Sequence, residues 1–174
     1  MKLQHVWMSA LLLAVPACLR SERGTASILP TQSGPPLSGA AELKETADGL
    51  LVNITVSQAP PGRHGLHVHE QGQCGDGGKA AGDHYNPNRV KHGYLPEEGF
   101  TGAHAGDLGN IEVGLDGTGT LELTVPGLSL RSGPHPVIGR AIILHAREDD
   151  FGQPTGNAGG RIGCGVITMS KNVK

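Results

Sequence analysis

Aromatic side chains are scarce in this chain, at 3% of 174 residues. A core without large rings has to be assembled from small aliphatic side chains. Net charge is scarce as well: 14 Lys and Arg stand against 16 Asp and Glu, a balance of −2. So even a balance gives no general case for binding nucleic acid. No stretch carries the helical apolar period over a useful length. There is no internal repeat and no low-complexity tract. The apolar run Val6 to Ala17 is too short to span a bilayer as a stable helix. Cysteine is down to three, an odd number that leaves one in need of a separate fate.

Glycine, by contrast, is abundant, at 28 residues. Val, Ile, Thr and Leu fall in short alternating runs between clusters of Gly, Pro, Asn and Asp. That pattern predicts an all-β domain of short strands and long turns. Strands are expected at Ala26–Leu29, Ser38–Glu45, Leu50–Gln58, Gly65–His69, Asp107–Val113, Thr118–Val125, Ala141–His145 and Cys164–Met169. Within Leu50–Val56, Val52, Ile54 and Val56 share one face and the intervening residues the other. Asp48-Gly49 and Asp116-Gly117 are hairpin-turn dipeptides. Two loops are long, Glu70 to Gly106 and Ala146 to Gly163. Loops of that length in a compact domain have to be tied down and are usually functional.

The N-terminus carries an address. Met1-Lys2 followed by the apolar run reads as an export leader. It ends Val15-Pro16-Ala17-Cys18, which resembles a bacterial lipobox with Pro16 as a departure. By that resemblance the leader is cut before Cys18, which then carries lipid. An ordinary secretory signal with an incidental cysteine is the alternative. The chain thus divides into a signal peptide (1–17), a lipidated tether (18–24) and a folded domain (25–174). Leu19 is not an Asp-type retention signal, so the expected place is the periplasmic face of the outer membrane, with no membrane contact beyond the anchor. Export leaves Cys74 and Cys164 as a pair in an oxidising compartment, or as two buried thiols. As a pair they close a loop of roughly 90 residues, which contributes about 4–5 kcal/mol in a chain-entropy account.

Six histidines and one aspartate follow in the order His67-x-His69, His84, His92, His104-x-x-Asp107, His145. Neutral imidazole suits copper and zinc, and a carboxylate among histidines suits zinc. Seven ligands are too many for one first-row ion and enough for two if one is shared. A shared histidine binds through both ring nitrogens, as an imidazolate. On a strand, His67 and His69 point to the same face and can reach one ion.

The text around these residues is more specific. It reads His64-Gly65-Leu66-His67-Val68-His69-Glu70, then Ala81-Gly82-Asp83-His84-Tyr85-Asn86-Pro87, Lys91-His92-Gly93 and His104-Ala105-Gly106-Asp107-Leu108-Gly109-Asn110. Later come Leu144-His145-Ala146-Arg147-Glu148-Asp149-Asp150 and Gly156-Asn157-Ala158-Gly159-Gly160-Arg161-Ile162-Gly163-Cys164-Gly165-Val166-Ile167. From about Ala26 to Met169 the chain closely resembles the copper/zinc superoxide dismutases, in a bacterial exported form. That family is itself a standard example of a β-sandwich and of electrostatically steered, diffusion-limited catalysis.

The resemblance implies an eight-stranded Greek-key β-sandwich or barrel with the two long loops forming the metal site. It implies one copper on His67, His69, His84 and His145, and one zinc on His84, His92, His104 and Asp107, with His84 shared. It implies a Cys74–Cys164 disulfide, and Arg161 beside the copper as a holder of a small anion. Asp149 would link His67 to His92 through their free ring N–H groups. His64 would pack near the copper without binding it, while His5 and His135 have no ligand role. Glu70 and Asp150 read as structural or solvated.

The implied activity is dismutation of superoxide to O₂ and H₂O₂, with copper alternately reduced and oxidised, His84 carrying a proton and Arg161 attracting the anion. Such an enzyme is an antioxidant oxidoreductase whose partner is superoxide, and a homodimer is possible. The chain departs from longer-looped relatives between Asp150 and Asn157, where it has no Glu or Lys to shape the field; Lys79 and Lys91 are the expected substitutes. The segment from His92 to His104 is also somewhat long. A domain that sequesters copper and zinc without turnover is the competing reading, and retention of every ligand together with Asp149 and Arg161 weighs against it.

Overall fold

Alternating apolar and polar residues, broken by glycine-bearing turns, build strands that pair mostly with their sequence neighbours and elsewhere with distant ones. The computed structural model describes residues 21–32 and 36–171; the leader and Cys18 lie outside them. Its strands are β1 (Arg23–Pro30), β2 (Ser38–Thr46), β3 (Gly49–Ser57), β4 (Gly62–His69), β5 (Asp107–Val113), β6 (Gly119–Val125), β7 (Ala141–His145), β8 (Arg161–Val166) and β9 (Thr168–Met169). They hydrogen-bond in the order β2-β3-β6-β5-β4-β7-β8-β1, and β1 pairs back onto β2. Eight antiparallel strands therefore close on themselves as a Greek-key barrel, with β3–β6, β4–β7 and β8–β1 as the non-sequential neighbours. Closure leaves no open edge in the eight-stranded sheet. The short β9 follows a break at Ile167 and pairs with β1.

The expected strands are all present, with some shifted ends. β1 begins at Arg23 rather than Ala26, because β2 offers partners as far as Lys44 opposite Arg23. Arg23 and Gly24, expected in the tether, are thus part of the barrel. The last expected strand starts earlier, at Arg161, and is split at Ile167. Two short helical pieces were not expected: a 3₁₀ segment at Asp76–Ala81 and α1 at Leu95–Gly102. Both are interrupted by glycines with positive φ, such as Gly99 at 63°, so neither is long enough to show a helical period.

The barrel interior is aliphatic. Leu50, Val52, Ile54 and Val56 of β3 point inward, and Ile28, Leu66, Ile111, Ile142 and Leu144 are fully buried around them. On β4, Leu66 and Val68 join this core while His67 and His69 take the opposite face, yet both histidines are 0% exposed. The two long loops cover that outer face. The first lies along the end of β4: Glu70 donates to the Asp83 carbonyl (3.0 Å), Tyr85 to Val68 (2.8 Å), and Val68 to Gly106 (2.9 Å). Gly106 is needed there, since a Cβ would strike the Val68 carbonyl oxygen. The bridge between His69 and His84 brings a residue from the loop beside the strand pair.

Candidate metal centre

Strand alternation places His67 and His69 together, the loop bridge adds His84, and β7 ends at His145 alongside β4. The ligand atoms of these four buried histidines lie within 4.8 Å of one another. A second buried group, His84, His92, His104 and Asp107, meets the same limit, so His84 belongs to both. Its Nδ1 lies 2.9 Å from Asp107 Oδ1, facing the second group. Asp107 Oδ1 is also 3.2 Å from His104 Nδ1, while its Oδ2 accepts the backbone N–H groups of Gly93 (3.1 Å) and His104 (3.0 Å).

Among the described residues, four buried ring nitrogens have no hydrogen-bond partner: His67 Nδ1, His69 Nε2, His145 Nε2 and His92 Nδ1. The last is only 2.9 Å from Asp107 Oδ2 but is not aligned for a hydrogen bond. Buried polar atoms are rarely left without partners. Here the unpartnered lone pairs converge, three in the first group and one in the second, as they would around ions. An all-imidazole group fits copper, and three imidazoles with one carboxylate fit zinc.

The other ring nitrogens are fixed by the protein. His69 Nδ1 faces the Gly82 carbonyl (2.9 Å) and His145 Nδ1 the Gly159 carbonyl (3.2 Å). Asp149 is fully buried between the two groups. Its Oδ2 is 2.7 Å from His67 Nε2, and its Oδ1 is 2.9 Å from His92 Nε2. Asn110 of β5 holds the Asp149 backbone at both ends, donating to its carbonyl (2.9 Å) and accepting from its N–H (2.7 Å). Gly156 passes so close to this carboxylate that a Cβ would collide with Asp149 Oδ1.

A cavity of about 230 Å³ opens beside the first group, lined by His69, His84, His145, Arg161, Arg147 and Asp83, among others. Arg161 donates to the carbonyls of Gly78 and Gly82, both at 2.7 Å, which aims the guanidinium from β8 across the first loop. Three residues later Cys164 is bonded to Cys74, with Cα atoms 5.7 Å apart. Loop and strand are therefore joined twice, once by a covalent bond and once by Arg161.

Comparison with known proteins matches this architecture and chemistry. Residues 37–167 match the family described as copper/zinc superoxide dismutase. The chain belongs to the copper/zinc superoxide dismutase family. It is 44% identical over 136 residues to an extracellular superoxide dismutase [Cu-Zn] of Haemonchus contortus, covering 74% of this chain and 72% of that protein. It is 36% identical to an extracellular superoxide dismutase [Cu-Zn] of Caenorhabditis elegans, over 96% of this chain and 78% of that protein. Among plants it is 47% identical to superoxide dismutase [Cu-Zn] 2 of Brassica juncea, over 68% and 80% of the two chains. A crystal structure of the clock protein EA4 superposes with a TM-score of 0.76 at 34% identity, covering 90% of this chain and all of that one.

The electrostatics of this dismutase-family site follow from burial. Burial, then the neighbouring His84, lowers the pKa of His69 to about 2. Burial, then His67, lowers that of His145 to about 3. Burial outweighs the hydrogen bond to Asp107 and lowers that of His84 to about 4. These rings are neutral at physiological pH, the form that binds metal. His92 goes the other way: burial opposes its charge, but the carboxylates of Asp107 and Asp149 beside its two ring nitrogens raise its pKa to about 9. Burial would raise both carboxylates, yet the histidines that donate to them hold Asp107 and Asp149 well below the usual carboxylate range.

The structure brings His67, His69, His84 and His145 together and His84, His92, His104 and Asp107 together, sets Asp149 between the two groups, places Arg161 on the cavity wall and bonds Cys74 to Cys164. His64 packs against the centre, with its ring nitrogens facing the His145 and Pro60 carbonyls. His135 stacks on Phe100, with centroids 3.6 Å apart, away from both groups. The expected substitute cations differ. Lys91 is paired with Glu98 at 3.2 Å, and neither it nor Lys79 is among the residues lining the cavity. Arg147 is, and it was missed, although it stands two residues after His145, in the bend that follows β7. Asn110 was also missed as a functional residue, because a side-chain amide that grips backbone leaves no spacing pattern.

Proposed function

We propose that this chain dismutates superoxide to O₂ and H₂O₂ at a centre of one copper (His67, His69, His84, His145) and one zinc (His84, His92, His104, Asp107), with His84 bridging them. The observation that carries this is the pair of ligand groups sharing His84, the first of which opens on a cavity walled by Arg161. Bound copper supplies the one-electron couple that takes an electron from one superoxide and gives it to the next, and bound zinc supplies fixed charge without redox chemistry. The protein does the rest. Arg161, its guanidinium oriented by two carbonyls, binds the anion through its remaining N–H donors. Arg147 adds a second positive charge at the same wall and raises the local concentration of anions. His84 accepts a proton at Nε2 and delivers it to the reduced product, while its Nδ1 remains committed to the zinc side. Asp149 fixes the ring orientations of His67 and His92. Turnover of superoxide by protein reconstituted with both metals tests the reading. Both metals bound with no turnover would leave the sequestering alternative.

The leader supports export, and the extracellular names of the nematode relatives agree with that. Beyond export, Ala17-Cys18 after the apolar run supports a bacterial lipoprotein cut before Cys18 and held at the periplasmic face of the outer membrane. Mass spectrometry of the mature N-terminus decides between acylated Cys18 and an unmodified terminus.

A further inference from the structure

Gln153 lies in the second long loop, between β7 and β8, outside both ligand groups and exposed to solvent. Its amide bonds the backbone of a single residue twice. His92 donates its N–H to Gln153 Oε1 at 3.1 Å, and Gln153 Nε2 donates to the His92 carbonyl at 2.8 Å. One side chain thereby offers the paired donor and acceptor that a neighbouring strand would offer. His92 has no such neighbour, since residues 90–94 form neither helix nor strand. Among the described residues its backbone N–H and carbonyl meet no other backbone group.

The same loop grips His92 at two more points. Asp149 takes its Nε2, and the Phe151 ring lies over the imidazole with centroids 6.5 Å apart and planes inclined by 22°. Phe151 in turn donates its N–H to Asp149 Oδ1 at 2.8 Å. With Nε2, the ring face and the backbone all held, Nδ1 is the free end, and it points at Asp107. Rotation about the His92 backbone is the motion that would swing Nδ1 away, and Gln153 opposes it at the N–H and carbonyl of His92 itself, beside the Gly93 N–H held by Asp107 Oδ2.

We propose that Gln153 is a positioning residue for the zinc site: by clamping the main chain of His92 it keeps Nδ1 aimed at the ion. The inference rests on the assignment of zinc to His84, His92, His104 and Asp107. Without the clamp, the N–H and carbonyl of His92 lose their partners and the segment is held through its neighbours Val90, Gly93 and Tyr94, so zinc is held less tightly and leaves faster.

The test uses the copper- and zinc-loaded protein and follows zinc release to a chelating indicator, with copper retention read in parallel. Gln153→Ala removes the clamp, and Gln153→Met removes both hydrogen bonds while keeping the bulk. Both are expected to speed zinc release roughly tenfold, the low end of what losing a partner of a ligand costs in metal affinity, with copper retained as in the unsubstituted protein. Ile54→Ala, a core truncation far from the loop, serves as the control for general destabilisation and should leave zinc release below its melting temperature unchanged. Zinc release at the unsubstituted rate in both Gln153 variants would overturn the proposal. So would equal acceleration by Ile54→Ala. If the unsubstituted protein takes up copper but no zinc, the zinc assignment itself falls and the proposal with it.

Discussion

Two of the guanidinium nitrogens of Arg161 are spent on the Gly78 and Gly82 carbonyls, which fixes the plane of the fork and leaves its outer N–H groups for an anion. Arg161→Gln should therefore lower kcat/KM on the order of a hundredfold, the scale of losing one donor aimed at reacting charge, with both metals retained. Arg161→Lys should fall between, because a point charge cannot reproduce the fork. Stopped-flow decay of superoxide measures both. Arg147 differs in kind, being exposed and without a carbonyl clamp on its guanidinium. Arg147→Glu should slow the reaction at low salt and converge on the unsubstituted rate as salt is added; equal loss at all ionic strengths would place Arg147 in direct contact with the substrate instead. At this scale the sequence was informative wherever a residue acts through its own functional group at a regular spacing. His67 and His69 were legible because a strand has period two. Asn110 and Gln153 were not, because they act on the main chain of residues that only the fold brings near.

Among the elements, β4 carries two duties, with Leu66 and Val68 in the core and His67 and His69 under the loops. Its neighbours β5 and β7 deliver Asp107, Asn110 and His145 to the same outer face, so the centre rests on three adjacent strands. The barrel was readable from alternation and turn dipeptides. Its exact ends were not, because pairing partners decide where a strand stops, as β2 does for Arg23. The helical pieces in the first loop were hidden by their glycines. The Cys74–Cys164 bond holds that loop against β8. Cys164→Ser should lower stability by about 2–5 kcal/mol, the usual range for losing a native disulfide, read from denaturant midpoints. It should also reduce turnover at temperatures where the protein is still folded, because the loop that loses its tether supplies both carbonyls that orient Arg161. Full activity in the folded variant would show that the hydrogen bonds of Arg161 suffice.

For the molecule as a whole, burying the centre makes stability depend on pH in a way that metal removal exposes. In the metal-free protein His69, His145 and His84 have pKa values of about 2, 3 and 4, below the ordinary 6.5. The unfolded chain then binds protons first as pH falls below about 6.5, so acid destabilises the fold. Asp107 and Asp149, held low, add to the loss once pH drops below the ordinary carboxylate range. His92, raised to about 9, has the opposite sign: its contribution is complete below about 6.5 and is lost as pH rises through 9. Melting temperatures of chelator-treated protein should therefore peak near neutrality and fall on both sides, more steeply in acid; a steady rise to alkaline pH would contradict the role given to His92. The disulfide has one more consequence at this scale. With cysteines 90 residues apart it closes a covalent ring containing His84, His92, His104, Asp107, His145, Asp149 and Arg161, while His67 and His69 stand outside it. Trypsin cutting after the exposed Arg131 would nick that ring without releasing a fragment, so the cleaved chain would migrate as one piece and separate into two only after reduction.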